Sequence, residues 1–257
     1  MTGVTSDYYK GIDIMLALDS SNSMMADDFK PTRLEKAKKV IKEFISKRTQ
    51  DKIGLVVFGT YAVVKCPLTV DYNVLGSFIE GLNAGEFGTS TAIGSAVALA
   101  VNCLNKGKTK SKVLILLTDC ENNEGSIDPA TASKIAEVYK IKIYAIGVGK
   151  EGGSTIPYYY NGKKYYMTNQ DGSIYRTYLD EKTLKEIAEI SEGDYFRAED
   201  NKSLDQIFEK IDSLEKTQFT HKGYTEKEEK YYVFLLAGSL LLFFSVFLKE
   251  FIFKRYP

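Results

Sequence analysis

Four short apolar runs, 12–18 (IDIMLAL), 53–58 (IGLVVF), 113–117 (VLILL) and 141–148 (IKIYAIGV), constrain this chain more than any other feature. They are rich in Ile, Val and Leu, and most lack strict alternation. Such runs suit strands buried on both faces of a parallel sheet. Helical patterns lie between and after them. In 32–47 (TRLEKAKKVIKEFISK) the residues Leu34, Ala37, Val40, Ile41, Phe44 and Ile45 form one stripe. A second stripe in 203–214 runs through Leu204, Ile207, Phe208, Ile211 and Leu214. Asp128 before Pro129 marks a helix start, with an acceptor at the cap and proline in the first turn. Segment 91–104 (TAIGSAVALAVNCL) predicts an apolar helix after a glycine-rich turn. This order predicts an α/β domain, a doubly wound and mostly parallel sheet with helices on both faces. One exception is 61–70 (YAVVKCPLTV), directly after Phe58-Gly59-Thr60, where a hairpin is expected to add an antiparallel edge strand.

A doubly wound sheet binds its ligands outside the carboxyl ends of its strands, where the strand order reverses. Asp19 is the first residue past one apolar run, and Asp119 is the second past another. Two carboxylates brought to one sheet edge repel each other unless a cation or a proton lies between them. Ser21 and Ser23 add neutral oxygens from the loop after Asp19, and Thr91 offers another from a third loop. Five oxygens carrying two formal charges suit a hard divalent cation such as Mg²⁺, or Mn²⁺ or Ca²⁺, with a position left for water or a partner. Taken singly, Asp19 and Ser21 also suit a cap on the following turn. Ser20 and Asn22 are expected to face away from the ion, and Asp27 and Asp28 to be turn residues before the helix.

The D-x-S-x-S spacing of Asp19, Ser21 and Ser23, with Thr91 and Asp119, resembles the metal-ion-dependent adhesion site of the von Willebrand factor A domain. That resemblance extends over about residues 12–214 and implies a Rossmann-like, protein-binding, non-enzymatic module that holds a metal through those five residues. The stretches FKPTRLEKAKKVI, IGLVVFG, CPLT, TAIGSA, LLTD and YAIGVG are more narrowly similar to the Bat proteins of bacterial aerotolerance operons. This implies a place in the bacterial inner membrane, partnership with other Bat proteins and a MoxR-type ATPase, and a role in envelope stress or oxygen tolerance. The relatives commonly have glycine where this chain has Cys120, and they begin with membrane segments that these 257 residues lack.

The C-terminal end carries its own signal. Residues 231–248 (YYVFLLAGSLLLFFSVFL) hold no charge and, as a helix, are long enough to cross most of a hydrocarbon core. A transmembrane helix is therefore expected there, with tyrosines at its ends and Lys249, Lys254 and Arg255 after it. Lys222, Lys227 and Lys230 precede the span, and the basic residues crowd closer on the C-terminal side. That slightly favours a cytoplasmic tail and a periplasmic domain. Residues 1–15 show neither part of an export signal, so either the orientation is reversed or a natural N-terminal membrane segment is missing. The expected organisation is a lead-in at 1–11, the A domain at 12–216, a polar linker at 217–230, the span at 231–248 and a basic tail at 249–257.

Composition removes several classes of function. Lys and Arg total 34, as do Asp and Glu, so no overall field draws the chain to nucleic acid. Cys66, Cys103 and Cys120 form no C-x-x-C pair and are expected to be buried free thiols. His221 is expected to be solvated. A phosphohydrolase of the haloacid-dehalogenase type needs a second aspartate two residues after the first, where this chain has Ser21. A metal-dependent binding module is therefore expected, with a structural membrane protein whose ion only stiffens its loops as the alternative and a Mg²⁺-dependent phosphohydrolase ranked behind both. One insertion, 154–180, is rich in tyrosine and carries two turn signals, Asn161-Gly162 and Asp171-Gly172. A hairpin and a further turn near the carboxyl edge are expected, the tyrosines serving either the hairpin's own face or a partner.

Overall fold

The apolar runs become β1 (Asp13–Asp19), β2 (Lys52–Phe58), β4 (Lys112–Thr118) and β5 (Ile141–Val148), each within a residue of its expected bounds. The structure, a computed structural model, describes residues 11–107, 109–119, 122–221 and 231–251, with the side chains of 159, 215–234 and 248–251 outside that description. β3 (Ala62–Thr69) pairs antiparallel with β2 as the hairpin signal predicted. A short β10 (Tyr195–Ala198) runs parallel to β5 and completes a six-stranded sheet of order β10-β5-β4-β1-β2-β3. β10 has no counterpart among the expected strands, because three half-buried residues and the buried Ala198 leave too short a pattern to recognise.

Alternate residues of β1 enter opposite faces of the sheet. Met15 and Ala17 join one core cluster with Val97 and Leu104 of α3 (Ile93–Asn105), Ala132 and Ala136 of α4 (Pro129–Val138) and Leu184 and Ile187 of α5 (Glu181–Ile190). Ile14, Leu16 and Leu18 are buried on the other face, the side left to α1 (Arg33–Ser46), α2 (Tyr72–Glu80) and α6 (Asn201–His221). α1 starts where Thr32 accepts the Glu35 N–H at 3.2 Å, and every apolar residue of its expected stripe is buried. Asp128 caps α4 by accepting the Thr131 N–H at 2.9 Å. Helices α2 and α5 fall outside the expected elements. Asp71 and Asp180 cap them; α2 buries only Leu75 and Ile79, whereas Leu184, Ile187 and Ala188 of α5 form a clear helical stripe that the expectations above do not include. Phe44 of α1 meets Phe208 of α6 edge to face, with ring centres 5.4 Å apart.

The tyrosine-rich insertion is a hairpin followed by a second turn, as expected. β7 (Pro157–Tyr160) and β8 (Lys163–Tyr166) pair antiparallel, and Asn161 and Gly162 both take positive φ at the turn between them. A second ribbon at its base pairs β6 (Ser154–Thr155) with β9 (Arg176–Thr177). Cys66 is buried and free as expected, while Cys103 is free but only half-buried, packed against the core cluster from α3. Cys120 lies outside the described residues, as does the side chain of His221.

Residues 1–214 and 215–257 form two compact units. In the second, α7 spans Tyr231–Phe251, and every side chain described on it, at 235–247, is exposed. Among the described residues no helix is long and apolar enough to cross a membrane. The span expected at 231–248 has side chains described only at 235–247 and so lies partly outside them.

Candidate metal centre

The strand order reverses at β1, since β2 lies on one side of it and β4 on the other. Asp19 ends β1 and Asp119 follows β4, so both carboxylates arrive at the switch point of the sheet. Parallel pairing sets Leu18 beside Leu117, which places Thr118 next to Asp19. The Thr118 hydroxyl donates to one Asp19 oxygen at 2.5 Å, and the Ser21 N–H donates to the other at 2.8 Å. Asp19 thus caps its own loop, the local role open to it from sequence, and still lies within the cluster.

Ser21 and Ser23 bring their hydroxyls within 2.9 Å of each other. The Ser23 hydroxyl then donates to Asp119 Oδ1 at 2.6 Å. Asp19, Ser21, Ser23 and Asp119 therefore form one continuous cluster. Ser20 turns away, as expected, and donates to the Phe58 carbonyl at 3.0 Å. Gly85, at φ 77°, backs this loop: its N–H donates to the Ser20 carbonyl at 2.6 Å, and a Cβ there would come within 2.6 Å of Asn22 Oδ1.

The structure joins Thr91 to the centre differently. Its N–H donates to Asn123 Oδ1 at 2.8 Å, and its carbonyl accepts the N–H groups of Asn123 and Glu124. Asn122 Oδ1 accepts the N–H groups of Ile93 and Gly94 at 2.8 and 3.4 Å, satisfying the first turn of α3 from another loop. The pair Asn122-Asn123 therefore locks the Thr91 loop to the segment that follows Asp119. The hydrogen bonds of Thr91 run through its backbone, and no side-chain contact ties it to the other four among the described residues.

Arg33 is the largest omission of the sequence reading. Its guanidinium is buried, grips both oxygens of Asp28 at 2.8 and 2.6 Å, and donates to Asp119 Oδ2 at 2.8 Å. Asp28 is thus the partner of a buried cation and not a free turn residue, and the Arg33 charge holds its carboxyl below the usual range against the opposing effect of burial. Asp27 is instead paired with Lys164 of the insertion. A signal for Arg33 existed only as an arginine five residues after an aspartate, spanning a proline.

The electrostatics separate the two carboxylates. Asp119 has Arg33, whereas the hydrogen-bond partners of Asp19 are neutral. Burial, followed by the nearby Asp119 charge, pushes the Asp19 carboxyl up to about 7. No group of three or more His, Cys, Asp or Glu side chains converges among the described residues. The centre holds two carboxylates and two serine hydroxyls, a donor set made of hard oxygens. These residues fit a hard divalent cation, because a completely buried carboxylate without a cationic partner is costly as an anion. All five sequence candidates are buried, and Ser23 is the most exposed at 5%.

The family model described as "von Willebrand factor type A domain" matches residues 13–210. The solved structure of BatB, a conserved hypothetical protein from Bacteroides thetaiotaomicron, is 34% identical with a TM-score of 0.70, covering 80% of this chain and 100% of that one. An aerotolerance-related membrane protein from Bacteroides fragilis, solved with multiple mutations to serine, is 32% identical with a TM-score of 0.71, covering 79% and 98%. An uncharacterized protein of Borreliella burgdorferi is 29% identical over 244 residues, 94% of this chain and 70% of that protein.

Proposed function

Because the chain belongs to the von Willebrand factor type A domain family, with a BatB protein among its relatives, we propose that it is a membrane-anchored module that binds another protein through a divalent cation. Asp19, Ser21, Ser23, Thr91 and Asp119 would hold the ion, Mg²⁺ before Mn²⁺ or Ca²⁺. When bound, it supplies a positive centre for an acidic side chain of the partner. The observation that carries this reading is Asp19: a fully buried carboxylate at the switch point, hydrogen-bonded only by neutral donors. Asp119 contributes the second charge, and the serine loop sets two hydroxyls between the carboxylates. Similarity to BatB supports partnership with other Bat proteins and a MoxR-type ATPase, in envelope stress or oxygen tolerance. We assign no enzymatic step, because Ser21 stands where a phosphohydrolase of the kind considered needs its acid.

A second reading has an observation in its favour. The cluster is buried, so an ion there would also serve simply to stiffen three loops. Ion binding tests what the two readings share. Asp19 has a folded pKa above its ordinary value, so its burial costs stability that grows as pH rises from about 4 through about 7. A cation offsets that cost, and a proton competes with it. Mn²⁺ is therefore expected to bind more tightly at pH 8 than at pH 6, and to raise the melting temperature more at pH 8. A thermal titration at both pH values checks this, and a pH-independent shift would remove Asp19 from the ligand set.

The membrane belongs to the same proposal. Apolar side chains such as Leu240, Leu241 and Phe243 are exposed around α7, which requires lipid or protein to cover them. We place the span at 231–248, with the A domain on the periplasmic side. Removing 231–257 is expected to release the remaining residues 1–230 from the membrane fraction upon cell fractionation. A shortened chain that stays with the membrane would show that α7 is not its sole anchor.

A further inference from the structure

We infer that Arg33 positions Asp119 for the ion and couples that ion to the base of the tyrosine-rich insertion; this rests on the metal reading above. One guanidinium touches three separate parts of the chain. It grips Asp28 with two parallel bonds, donates to Asp119 Oδ2, and donates to the Thr177 hydroxyl at 3.1 Å. Thr177 lies in β9 directly opposite Ser154 of β6, and the Ser154 hydroxyl donates to Asp28. Both strands of the ribbon at the base of the insertion therefore place a hydroxyl on the Asp28–Arg33 pair.

The guanidinium has little room to move independently. Gly149, at the end of β5, has φ 153°, and a Cβ there would come within 3.1 Å of Arg33 Nη2. A planar fork held at three of its nitrogens sets the orientation of each carboxylate it touches, which a single ammonium cannot do. Asp119 Oδ1 is already taken by Ser23, so Arg33 on Oδ2 fixes the second oxygen and with it the carboxylate plane. Partners that orient metal ligands in this way commonly account for about 10- to 100-fold in metal affinity.

The same geometry connects distant surfaces. An ion at the centre and Arg33 share the Asp119 carboxylate, so occupancy by the ion alters the hold of Arg33, and through Thr177 the ribbon. Coupling of this kind is reciprocal: whatever binds the insertion and stabilises its ribbon also alters ion affinity. Beyond the ribbon, Tyr158 and Tyr165 stack across the hairpin with ring centres 5.6 Å apart, while Tyr160, Tyr175 and Tyr178 are exposed.

The test uses the full chain, purified in detergent, with Mn²⁺ as the probe for affinity and Mg²⁺ for hydrogen exchange. Arg33→Lys keeps the charge and removes the fork, and it is expected to weaken Mn²⁺ binding by about 10-fold or more in calorimetry. Thr177→Val keeps Arg33 and all the carboxylates and removes only the acceptor on the ribbon. In the wild type, adding Mg²⁺ is expected to change amide exchange across 154–177; in Thr177→Val that response is lost. Circular dichroism checks that both variants fold, and if Arg33→Lys does not, the exchange comparison decides alone. Arg33→Lys binding like wild type, or an unchanged exchange response in Thr177→Val, overturns the inference and leaves the metal reading standing. A wild type that fails to bind Mn²⁺ overturns the metal reading and the inference with it.

Discussion

Replacing Asp19 with alanine is expected to abolish Mg²⁺ and Mn²⁺ binding, while Ser20→Ala leaves it nearly intact. The two residues are neighbours on one loop, and both are completely buried, so burial alone does not separate them. Their hydrogen bonds do. Asp19 faces Thr118 and the Ser21 N–H beside Asp119, whereas Ser20 points to the Phe58 carbonyl on the next strand. Asp19→Ala removes half of the cluster's carboxylate charge and leaves the Thr118 hydroxyl without that acceptor, at a cost of about 1–3 kcal/mol. Losing a buried anion offsets part of that cost, and the apolar strands still supply the core, so the variant is expected to fold. Calorimetric titration of both variants decides the matter, and equal losses would mean that the loop, and not Asp19, supports the ion.

Chelation is expected to release a protein partner while leaving the fold in place. If the partner's carboxylate completes the shell of the ion, removing the ion takes away the whole contact. The loss should then far exceed the roughly 1 kcal/mol of an exposed ion pair. Thr91→Ala is expected to imitate chelation. Its backbone bonds to Asn123 and Glu124 do not need the side chain, so the start of α3 survives the substitution. Partners are captured from membrane extract with Mg²⁺, with chelator, and with this variant, alongside circular dichroism. Equal capture under all three conditions would favour an ion that only stiffens the loops.

The sheet is legible because its central strands are buried on both faces and are almost wholly apolar, the buried Asp13 of β1 excepted. The same reasoning sets Asp19 and Asp119 at one edge: a polar residue ending an apolar run marks where the strand leaves the core. Helix α2 and strand β10 escaped because each buries few side chains and therefore leaves little pattern, whereas α5 carries a legible stripe at Leu184, Ile187 and Ala188. Arg33 escaped for a different reason. At the start of an amphipathic helix it has the composition of a solvated first turn, and its partner Asp119 is 86 residues away. Asn122 and Asn123 give no signal of their own in the sequence, since the hydrogen bonds they accept come from a helix start that lies earlier in the chain. Long-range pairing of polar groups leaves no periodic trace, so the candidate ligands are legible in the sequence and the residues that orient them are not.

The bidentate pair of Arg33 with Asp28 also makes the pocket a counter of charge. These two groups cancel, which leaves the formal charges of Asp19 and Asp119 as the balance to be met. Buried where water solvates them poorly, two ionised carboxylates are balanced by one doubly charged ion, while a proton on Asp19 would leave only Asp119 charged, beside Arg33. A sodium or potassium ion would leave one negative charge stranded, and a trivalent ion would leave a positive one. On the metal reading proposed above, discrimination by valence would follow from this balance, whereas discrimination among divalent ions would fall to the oxygen donors and to what the cell has in abundance.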